Sequence, residues 1–378
     1  MEAGEVLTYA ELAERAEATE LPTVYGTISP AGIDFAVELH AAALAGTVIV
    51  PVRRGLSMKA PFLAPPGALA VLFTSGTTGE PRAVALTRAH FEASAHAGAA
   101  VLPVAPEDRW LCCLPVHHVA GLSIFTRCAI FGATVVAEPF DPGRVKALME
   151  AGEVTLASFV PTMLARLREA GLGRAPKLRG VLLGGGPIPD ELLEWALGVG
   201  LPVMPTYGMT ETCSQIATAA PGEKLARPLP GVEIRITDDG EILARGPMVA
   251  ADGWLHTGDR GRLTDDDLLE VSGRMDDLIV TGGENVAARE VEDAVRSHPA
   301  VTDAAVMGVE DAEWGRAIWA FVVGDVGEAD VIEHGRGLLP GFKVPKGVVV
   351  LDELPRTASG KVERPPLESR AHDLRQRR

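Results

Sequence analysis

Short apolar runs recur between residues 68 and 205, and this recurrence limits the fold more than any other feature of the sequence. The six runs have the length and composition of buried strands and occupy residues 68–73, 110–114, 133–137, 154–159, 180–183 and 201–205. Helix-like segments lie between them, near residues 88–100, 121–131, 142–151, 161–170 and 189–198. Because strands and helices that alternate at this spacing build parallel sheets, we predict an α/β fold in which helices cover a mostly parallel sheet.

The pattern changes after residue 225, where shorter strand-like runs meet at turns. Residues 231–237 and 241–244 flank Asp238-Asp239-Gly240, and an Asp-Gly turn between such runs is a hairpin signal. A further strand-like run, 268–271, follows an acidic turn. We therefore expect the large N-terminal domain to include a small, distorted antiparallel barrel.

The last hundred residues or so combine helix-like and strand-like segments in a third pattern. Helices are expected at 286–297 and 330–338, and strands at 303–309, 318–323 and 348–351. This combination predicts a small, mobile α+β lid domain at the C-terminus. We place the N-terminal domain at residues 1–273 and the lid at residues 274–378.

Charge and hydropathy exclude several classes of function. The chain has 35 basic and 51 acidic residues, a net charge of −16 and a pI near 5.1. Such a body repels nucleic-acid phosphates, so we expect no nucleic-acid partner. Since no apolar run reaches the roughly 18 residues that a bilayer span needs, we expect no membrane insertion. The N-terminus lacks a signal-peptide pattern, which predicts a cytoplasmic protein. The sequence is compatible with a homo-oligomer.

The cysteines indicate packing rather than chemistry. Cys112, Cys113, Cys128 and Cys213 lack the CxxC spacing of a metal or redox site. Cys112 and Cys113 lie within an apolar run. We predict buried, reduced thiols rather than a disulfide framework or a zinc site.

The densest cluster of hydroxyl and glycine residues is Thr74-Ser75-Gly76-Thr77-Thr78-Gly79-Glu80-Pro81-Arg82. It leaves a predicted strand, and we expect a helix to follow it. Backbone N–H groups and hydroxyls in such a loop can wrap a polyphosphate. The loop lacks the Gly-Lys-Ser/Thr ending of a Walker A motif, so it predicts a phosphate site of another kind.

This nonapeptide resembles the phosphate-binding signature of the adenylate-forming superfamily, which comprises acyl-CoA synthetases, stand-alone adenylation domains and luciferases. Arg82 stands where the signature usually has lysine, and Ala83 where it usually has glycine. Further motifs of the superfamily follow in its order, as far as Lys361. The resemblance implies that the phosphates of ATP are bound by Thr74, Ser75, Gly76, Thr77, Thr78, Gly79 and Arg82.

Three motifs resemble the rest of the superfamily's nucleotide site. In Tyr207-Gly208-Met209-Thr210-Glu211, the resemblance implies that Tyr207 and Gly208 lie at the adenine, that Thr210 contacts the α-phosphate and that Glu211 holds Mg²⁺. A carboxylate beside phosphates needs such a cation between them. The resemblance also implies that Asp259 accepts hydrogen bonds from the ribose hydroxyls. The nucleotide and acyl pockets would be lined by Gly184, Gly185 and Gly186.

The C-terminal motifs resemble the hinge and lid of the superfamily. Arg274 would reach the ribose, and Asp276 would be the hinge about which the lid rotates. Gly282 and Gly283 would line the tunnel for the pantetheine arm of coenzyme A, since glycine permits close approach. Lys361 stands in the position of the catalytic lysine.

Two segments indicate the acid substrate. Residues 118–136 and 211–215 resemble the o-succinylbenzoate–CoA ligases of menaquinone biosynthesis, one branch of the superfamily. That substrate has two carboxylates, only one of which is activated. The other needs donors, for which the candidates are Arg127, Ser214 and Gln215. His118 would stand at the acyl pocket. The alternatives are a surface position for Arg127 and backbone capping by Ser214.

The resemblance implies an AMP-forming acyl-CoA synthetase that uses ATP, Mg²⁺ and coenzyme A. The acid forms an acyl-adenylate, which the CoA thiol then converts to a thioester. The residues assigned to catalysis are Lys361, Thr210, Glu211 and His118. The alternatives are another aryl- or fatty-acid–CoA ligase, a stand-alone adenylating enzyme that loads a carrier protein, and a nucleotide-binding pseudoenzyme.

The phosphate loop begins at Thr74, which is early for this superfamily, so we expect a region shortened before residue 70. Residues 7–16 and 46–57 resemble two early landmarks of the superfamily, brought closer together. A short amphipathic helix is predicted over residues 8–19, with Thr8 and Glu11 as a capping box.

Overall fold

A computed structural model of the protein describes residues 6–52, 65–75, 81–275, 278–282, 284–311, 313–356 and 362–376. The helices are α1 Tyr9–Glu17, α2 Ile33–Ala45, α3 Arg88–Ala99, α4 Val119–Phe131, α5 Pro142–Glu150, α6 Pro161–Glu169, α7 Asp190–Gly198, α8 Ala288–Arg296, α9 Glu328–Leu338 and α10 Arg364–Gln376.

The strands, numbered in the same way, are β1 Val24–Thr27, β2 Val48–Pro51, β3 Ala68–Ser75, β4 Pro81–Thr87, β5 Arg109–Cys112, β6 Thr134–Ala137, β7 Leu156–Phe159, β8 Gly180–Leu183, β9 Val203–Met209, β10 Ser214–Thr218, β11 Arg227–Pro228, β12 Glu233–Ile236, β13 Glu241–Arg245, β14 Leu255–Leu263, β15 Leu269–Arg274, β16 Leu278–Thr281, β17 Glu284–Ala287, β18 Val301–Asp311, β19 Gly315–Gly324 and β20 Gly347–Leu351. Residues Thr210–Thr212 form a 3-10 turn.

The largest sheet has seven strands, in the order β11-β10-β9-β8-β7-β5-β6. Strands β5 to β9 pair in parallel, and β10 and β11 extend the sheet with antiparallel pairing. The predicted mostly parallel sheet is therefore confirmed. The strand order reverses between β5 and β7, because β6 lies outside β5 whereas β8 and β9 follow on the other side. Crevices that bind ligands in open α/β sheets lie at such reversals.

Helices cover both faces of this sheet, as the alternate residues of its strands show. Trp110 and Leu182 pack into one core cluster with apolar residues of α3 and α4. Their neighbours Leu111, Val181 and Leu183 pack into a second cluster with residues of α5, α6 and α7. A sheet buried on two faces favours apolar residues at most strand positions, which is why these strands stand out in the sequence as apolar runs.

A second sheet, in the order β1-β2-β3-β4, contains the segment that leads into the phosphate loop. β3 and β4 pair antiparallel, with Thr74 opposite Arg82. The helix expected after the loop is α3, at Arg88–Ala99, and β4, which is not among the strands expected from the sequence, lies between the loop and this helix. Val84 and Leu86 are buried and alternate with more exposed residues, which is the period of a strand.

The third sheet runs in the order β12-β13-β14-β15, with turn residues 237–240 joining β12 to β13. A backbone hydrogen bond from Thr237 to Glu241 and another from Gly240 to Thr237 close this turn. Gly240 has φ of 88°, a left-handed conformation that favours glycine. The Asp-Gly hairpin expected from the sequence is confirmed.

The C-terminal residues form a sheet with helices on both faces. Its order is β17-β16-β19-β18, and β20 pairs in parallel with β19. Apolar residues of α8 and α9 pack on one face of this sheet, and those of α10 pack on the other. The predicted α+β arrangement of this region is confirmed.

Two compact units divide the chain. The first comprises Met1–Arg235, Leu243–Leu255 and Leu263–Leu269, and the second comprises Ile236–Ile242, His256–Arg262 and Glu270–Arg378. The domain limits expected from the sequence, 1–273 and 274–378, stay a prediction. The shortening of the region before residue 70 also stays a prediction.

The first helix begins as predicted. The Thr8 hydroxyl accepts a hydrogen bond from the Glu11 backbone N–H at 3.3 Å, and the Thr8 backbone N–H donates to the Glu11 carboxylate at 2.8 Å. Leu12 and Ala16 form the buried face of α1. The capping box thus starts the helix, and its apolar stripe attaches it to the protein.

All four cysteines are buried free thiols, as predicted. Burial raises the pKa of Cys113, Cys128 and Cys213 to about 12 and raises the pKa of Cys112 still further. The thiolate is the reactive form of cysteine. These side chains are therefore protected from reaction in two ways, because burial excludes reagents and because the thiols stay protonated. Within the described ranges, no helix has both the length and the apolar character that a bilayer crossing requires.

We predict that no cysteine reacts promptly with a disulfide reagent in the native protein at about pH 8, whereas unfolding in guanidinium exposes four thiols. The reason is that burial disfavours the thiolate at each position. The measurement is absorbance-monitored thiol titration with and without denaturant. Rapid labelling of even one thiol in the folded protein would contradict this account.

Candidate active site

The predicted site residues of the first unit follow the carboxyl ends of neighbouring parallel strands. His118 precedes α4 in the loop after β5, Gly184 to Gly186 follow β8, and Thr210 and Glu211 follow β9. Because the carboxyl ends of parallel strands meet at one edge of a sheet, the fold brings these residues to a single edge. The reversal of strand order beside β5 lies at the same edge.

The hairpin of β3 and β4 brings the residues that flank the phosphate loop to this edge. Thr74 and Arg82 face each other across the hairpin, and the Thr74 hydroxyl donates to the Arg82 carbonyl at 3.4 Å. β4 lies against the 3-10 turn that contains Thr210 and Glu211. Ser75 is the last residue of β3. The predicted loop residues Gly76, Thr77, Thr78 and Gly79 lie outside the described residues.

Two glycines of the predicted nucleotide site permit close packing of the backbone. A Cβ on Gly208 would lie 2.0 Å from the Ser214 carbonyl oxygen, across the β9–β10 pair. A Cβ on Gly184 would lie 2.4 Å from the Thr206 hydroxyl, between β8 and β9. No larger residue fits either place without movement of the backbone. These glycines therefore hold Tyr207, which the sequence predicts at the adenine, and its neighbours at a fixed separation.

We predict that Gly208→Ala destabilises the protein by about 1–3 kcal/mol and reduces ATP-dependent activity, because the new methyl group must displace a strand backbone. Gly198→Ala is the matched control. Gly198 lies at the end of α7, and a Cβ there meets nothing within 4 Å. Chemical denaturation and a pyrophosphate-release assay measure the two effects. Equal stability of the two variants would show that the packing at Gly208 is not limiting.

A strained turn follows the carboxylate that is assigned to Mg²⁺. Cys213 has φ of 50° and Ser214 has φ of 92°, a left-handed conformation that is costly for residues other than glycine. The Thr212 hydroxyl holds this turn from both sides, since it accepts from the Met209 backbone N–H at 2.8 Å and donates to the Ser214 carbonyl at 2.7 Å. Strain that neighbouring bonds enforce is typical of functional turns.

Arg127 is buried on α4, and the interpretation of this residue as a surface arginine is wrong. Its side chain is 4% exposed. One terminal nitrogen, Nη2, donates to the Ser94 hydroxyl at 3.3 Å, while Nε has no hydrogen-bond partner among the described residues. The guanidinium lies 5.8 Å from the ring centroid of Trp110. Burial lowers the pKa of Arg127 to about 10, so the group keeps its charge at neutral pH.

No carboxylate within the described ranges forms a salt bridge with Arg127. A buried charge without an opposite charge is unfavourable by several kcal/mol, by order of magnitude. A ligand that carries a negative charge would supply the missing opposite charge. Gln215 is also buried, and its amide nitrogen lies 3.1 Å from the point where a Cβ on Gly98 would stand.

His118 is the residue immediately before α4 and is exposed. Its ring lies 4.5 Å from the ring of His117, centroid to centroid. Three residues on, Gly121 allows the helix to approach the preceding loop, since a Cβ there would lie 2.4 Å from the Pro115 carbonyl oxygen. The backbone of His118 thus lies where the loop and the start of α4 pack tightly, while its side chain is exposed.

The predicted ribose-binding pair belongs to the second unit. Arg274 Nη1 lies 3.1 Å from a carboxylate oxygen of Asp259 and 3.2 Å from the Thr257 carbonyl. The Thr257 hydroxyl accepts from the Asp259 backbone N–H and donates to the Ile242 carbonyl. A carboxylate has two oxygens and about four lone-pair sites, so Asp259 can accept from ribose hydroxyls while it pairs with Arg274.

The loop assigned to the pantetheine arm starts at Gly282, also in the second unit. Gly282 has φ of 57°, and its backbone N–H donates to the Trp314 carbonyl at 2.9 Å. A Cβ on Gly282 would lie 3.0 Å from the Trp314 ring, whose other neighbours include the Lys346 ammonium at 4.6 Å from the centroid. The positive φ and the nearby Trp314 ring thus favour glycine at this position. Gly283, Asp276 and Lys361 lie outside the described residues.

The donor set of the first unit fits a magnesium ion that arrives with a nucleotide. Magnesium is held in proteins by one or two carboxylates together with phosphate oxygens and water. Glu211 is a single, partly exposed carboxylate in the 3-10 turn beside the β3–β4 hairpin. Across the described parts of the chain, no group of three or more His, Cys, Asp or Glu side chains could hold a metal alone.

Two hydroxyls that shape this site, those of Thr212 and Ser94, are not identified by the sequence motifs. Ser94 on α3 contacts Arg127 and the carbonyl of Cys213, 119 positions further along the chain. No local pattern marks a serine as a long-range bridge. Thr212 follows the Tyr207–Glu211 motif, but a threonine after a strand is common, so its own residue type predicts no special role.

The class of protein follows from this fold and site together. The AMP-binding enzyme family matches residues 57–252, and the C-terminal domain of AMP-binding enzymes matches residues 290–361. The chain belongs to the AMP-binding enzyme family. The enzyme class is that of the AMP-forming acid–thiol ligases.

Particular relatives are similar over most of the chain. The 2-succinylbenzoate–CoA ligase of Bacillus licheniformis is 42% identical over 330 residues, which cover 79% of this chain and 69% of that protein. The o-succinylbenzoate CoA synthetase of Bacillus subtilis, solved with its acyl-adenylate intermediate, superimposes with a TM-score of 0.87 at 32% identity and covers 97% of this chain and 94% of its own. The same Bacillus subtilis enzyme with ATP and magnesium has a TM-score of 0.82 at 32% identity, with 93% and 90% covered.

Proposed function

We propose that this protein is an o-succinylbenzoate–CoA ligase of menaquinone biosynthesis, which uses ATP, Mg²⁺ and coenzyme A. The observation that carries the proposal is Arg127, a buried guanidinium with an unpartnered Nε and no carboxylate within reach among the described residues. A substrate with two carboxylates supplies the missing charge with one and reacts through the other. The relatives with 2-succinylbenzoate–CoA ligase activity agree with this substrate.

Three residues form what we term the carboxylate subsite: Arg127, Ser214 and Gln215. Charge-assisted hydrogen bonds from a guanidinium to a carboxylate are among the strongest in proteins, and water competes poorly for a buried guanidinium. Gln215 adds a neutral donor that is itself buried. Ser214 stands at the strained turn beside them. Together these groups distinguish a dicarboxylate from a monocarboxylate of similar shape.

The first step joins the acid to the nucleotide. An oxygen of the substrate carboxylate attacks the α-phosphorus of ATP, the bond from that phosphorus to the bridging oxygen breaks, and pyrophosphate leaves with the electron pair. Thr74, Ser75, Thr210 and Arg82 donate to the phosphates and hold them in line. Mg²⁺, when bound at Glu211, neutralises the charge of the leaving group.

Lys361 places its ammonium beside the oxygens where charge develops. His118 closes the acyl pocket against water. In the second unit, Asp259 and Arg274 hold the ribose, so that the adenylate is retained after pyrophosphate has left.

The second step transfers the acyl group to sulfur. The lid rotates about Asp276, which withdraws Lys361 and presents the loop of Gly282 and Gly283 to the adenylate. The CoA thiolate attacks the acyl carbon, the carbon–oxygen bond of the mixed anhydride breaks, and AMP leaves. Gly282, against which Trp314 packs closely, presents no side chain of its own to the thiol arm.

The cellular setting follows from charge and thiols. Four buried free thiols suit a reducing compartment, and we place the enzyme in the cytoplasm on that ground. A net charge of −16 argues against a nucleic-acid partner. The partner of this site is therefore a small carboxylic acid.

The decisive experiment is an ATP- and CoA-dependent thioester assay over aryl and fatty acids that include o-succinylbenzoate. We expect kcat/KM for o-succinylbenzoate to exceed that for its two monocarboxylate analogues, each lacking one carboxyl group, by about 100-fold or more, because the charge of Arg127 is otherwise unpaired. A higher kcat/KM with a monocarboxylate than with o-succinylbenzoate would overturn the proposed substrate. A requirement for a carrier protein in place of coenzyme A would overturn the class of acceptor.

We predict that Lys361→Ala suppresses adenylation by roughly 100-fold or more, while thiolation of supplied o-succinylbenzoyl-adenylate changes little. The ammonium acts on charge that develops only in the first step. ATP–pyrophosphate exchange measures one half-reaction, and thioester formation from the adenylate measures the other. Lys224→Ala, which removes an exposed lysine paired with Glu194, is the control. Equal losses in both half-reactions would remove Lys361 from this role.

A further inference from the structure

A single buried hydroxyl joins the two parts of the carboxylate subsite. Ser94 lies on α3 and is 2% exposed. Its Oγ accepts a hydrogen bond from Arg127 Nη2 at 3.3 Å and donates to the Cys213 carbonyl at 2.7 Å. The chain Arg127–Ser94–Cys213 therefore connects helix α4 to the turn before β10. A hydroxyl has one proton to donate and lone pairs to accept with, so this geometry satisfies both partners at once.

Arg127 depends on this bond for its orientation. An arginine side chain is long and flexible, and a buried guanidinium must be fixed to keep one donor pointed at a ligand. Within the described residues, Ser94 is the hydrogen-bond acceptor that Arg127 contacts, and the Trp110 ring packs against the guanidinium. With Nη2 held by Ser94, the unpartnered Nε keeps a defined direction.

The strained turn depends on the same hydroxyl. Cys213 and Ser214 both have positive φ, and conformations of this kind persist only where surrounding bonds enforce them. Thr212 holds the turn through its own hydroxyl, and Ser94 holds it from α3 by donating to the Cys213 carbonyl. Release of this carbonyl would leave a buried acceptor without a donor and allow Ser214 to move away from Arg127.

We propose that Ser94 is a positioning residue for substrate selection, which couples the Arg127 guanidinium to the Cys213–Ser214 turn and so fixes both donors to the non-reacting carboxylate. This inference rests on the proposed function, since the second carboxylate of the acid is what the two donors contact. Ser94 itself touches no reacting atom. Its effect is therefore confined to the acid and spares ATP and coenzyme A.

The test is Ser94→Ala, assayed with o-succinylbenzoate and with its two monocarboxylate analogues. We expect KM for o-succinylbenzoate to rise by about 10-fold to 100-fold, the scale of a lost hydrogen bond to a charged group, with little change in KM for ATP or for the monocarboxylate that keeps the activated carboxyl group. The preference for the dicarboxylate then falls. A general loss with every acid would mean that Ser94 is merely structural and would overturn the proposal.

Ser123→Ala is the matched control, because Ser123 is also a buried serine, 1% exposed, whose hydroxyl has no hydrogen-bond partner among the described residues. We expect it to keep the preference. A double-mutant cycle with Arg127→Met adds a second measure: if Ser94 acts through Arg127, Ser94→Ala has little further effect once Arg127 is gone. Additive effects, or an equal shift in Ser123→Ala, would overturn the coupling.

Two further measurements keep the outcomes separate. The unmodified enzyme is assayed first, and if it does not use o-succinylbenzoate, the proposed function fails before Ser94 is tested. If Ser94→Ala does not fold, as judged by thermal unfolding, Ser94→Cys retains the size and a weak donor, and a partial loss of preference is expected. An unchanged preference in a folded Ser94→Cys and Ser94→Ala pair would overturn the role.

Discussion

The burial of the parallel sheet on both faces is the constraint on which the remaining structure depends. Residues on either side of β5, β7, β8 and β9 pack into two separate cores, so a charged side chain lies only at the end of a strand, as the exposed Arg109 does at the start of β5. Polar chemistry is therefore displaced to the loops at the carboxyl edge. There His118, Glu211 and the glycines after β8 gather, although long stretches of sequence separate them. Because several loops meet at one edge, the backbone packs closely at Gly184 and Gly208.

Much of this fold is predictable because its signals are local. An unbroken apolar run marks a strand buried on two sides, and the run at residues 180–183 coincides with β8. Thr8 and Glu11 identify the start of α1 because both partners of a capping box lie within one turn. The site motifs are local too, which is why roles for Thr210 and Glu211 can be proposed from the amino-acid sequence alone. Each of these features depends on neighbours a few positions away.

The features that sequence reasoning does not reach are those set by distant residues. The burial of Arg127 depends on the packing of α4 against the sheet, and no spacing distinguishes it from an exposed helix arginine. The left-handed conformation of Cys213 and Ser214 is imposed by Thr212 and by Ser94 on another helix. β4 is hard to predict because it has only seven residues, between a glycine-rich loop and a helix, in which to show the alternation of buried and exposed side chains. Its alternation becomes meaningful only with the antiparallel partner β3 beside it.

The strand that follows the phosphate loop also changes the physics of anion binding. In loops that lead into a helix, the aligned peptide dipoles contribute about half a positive charge at the anion. A β-strand has almost no net dipole, so β4 contributes no such field. In a protein with a net charge of −16, the attraction of a polyphosphate must then come from the N–H and hydroxyl donors of the loop and from discrete cations. Nucleotide affinity in this chain is thereby tied to the concentration of divalent metal and to ionic strength more closely than in a loop backed by a helix.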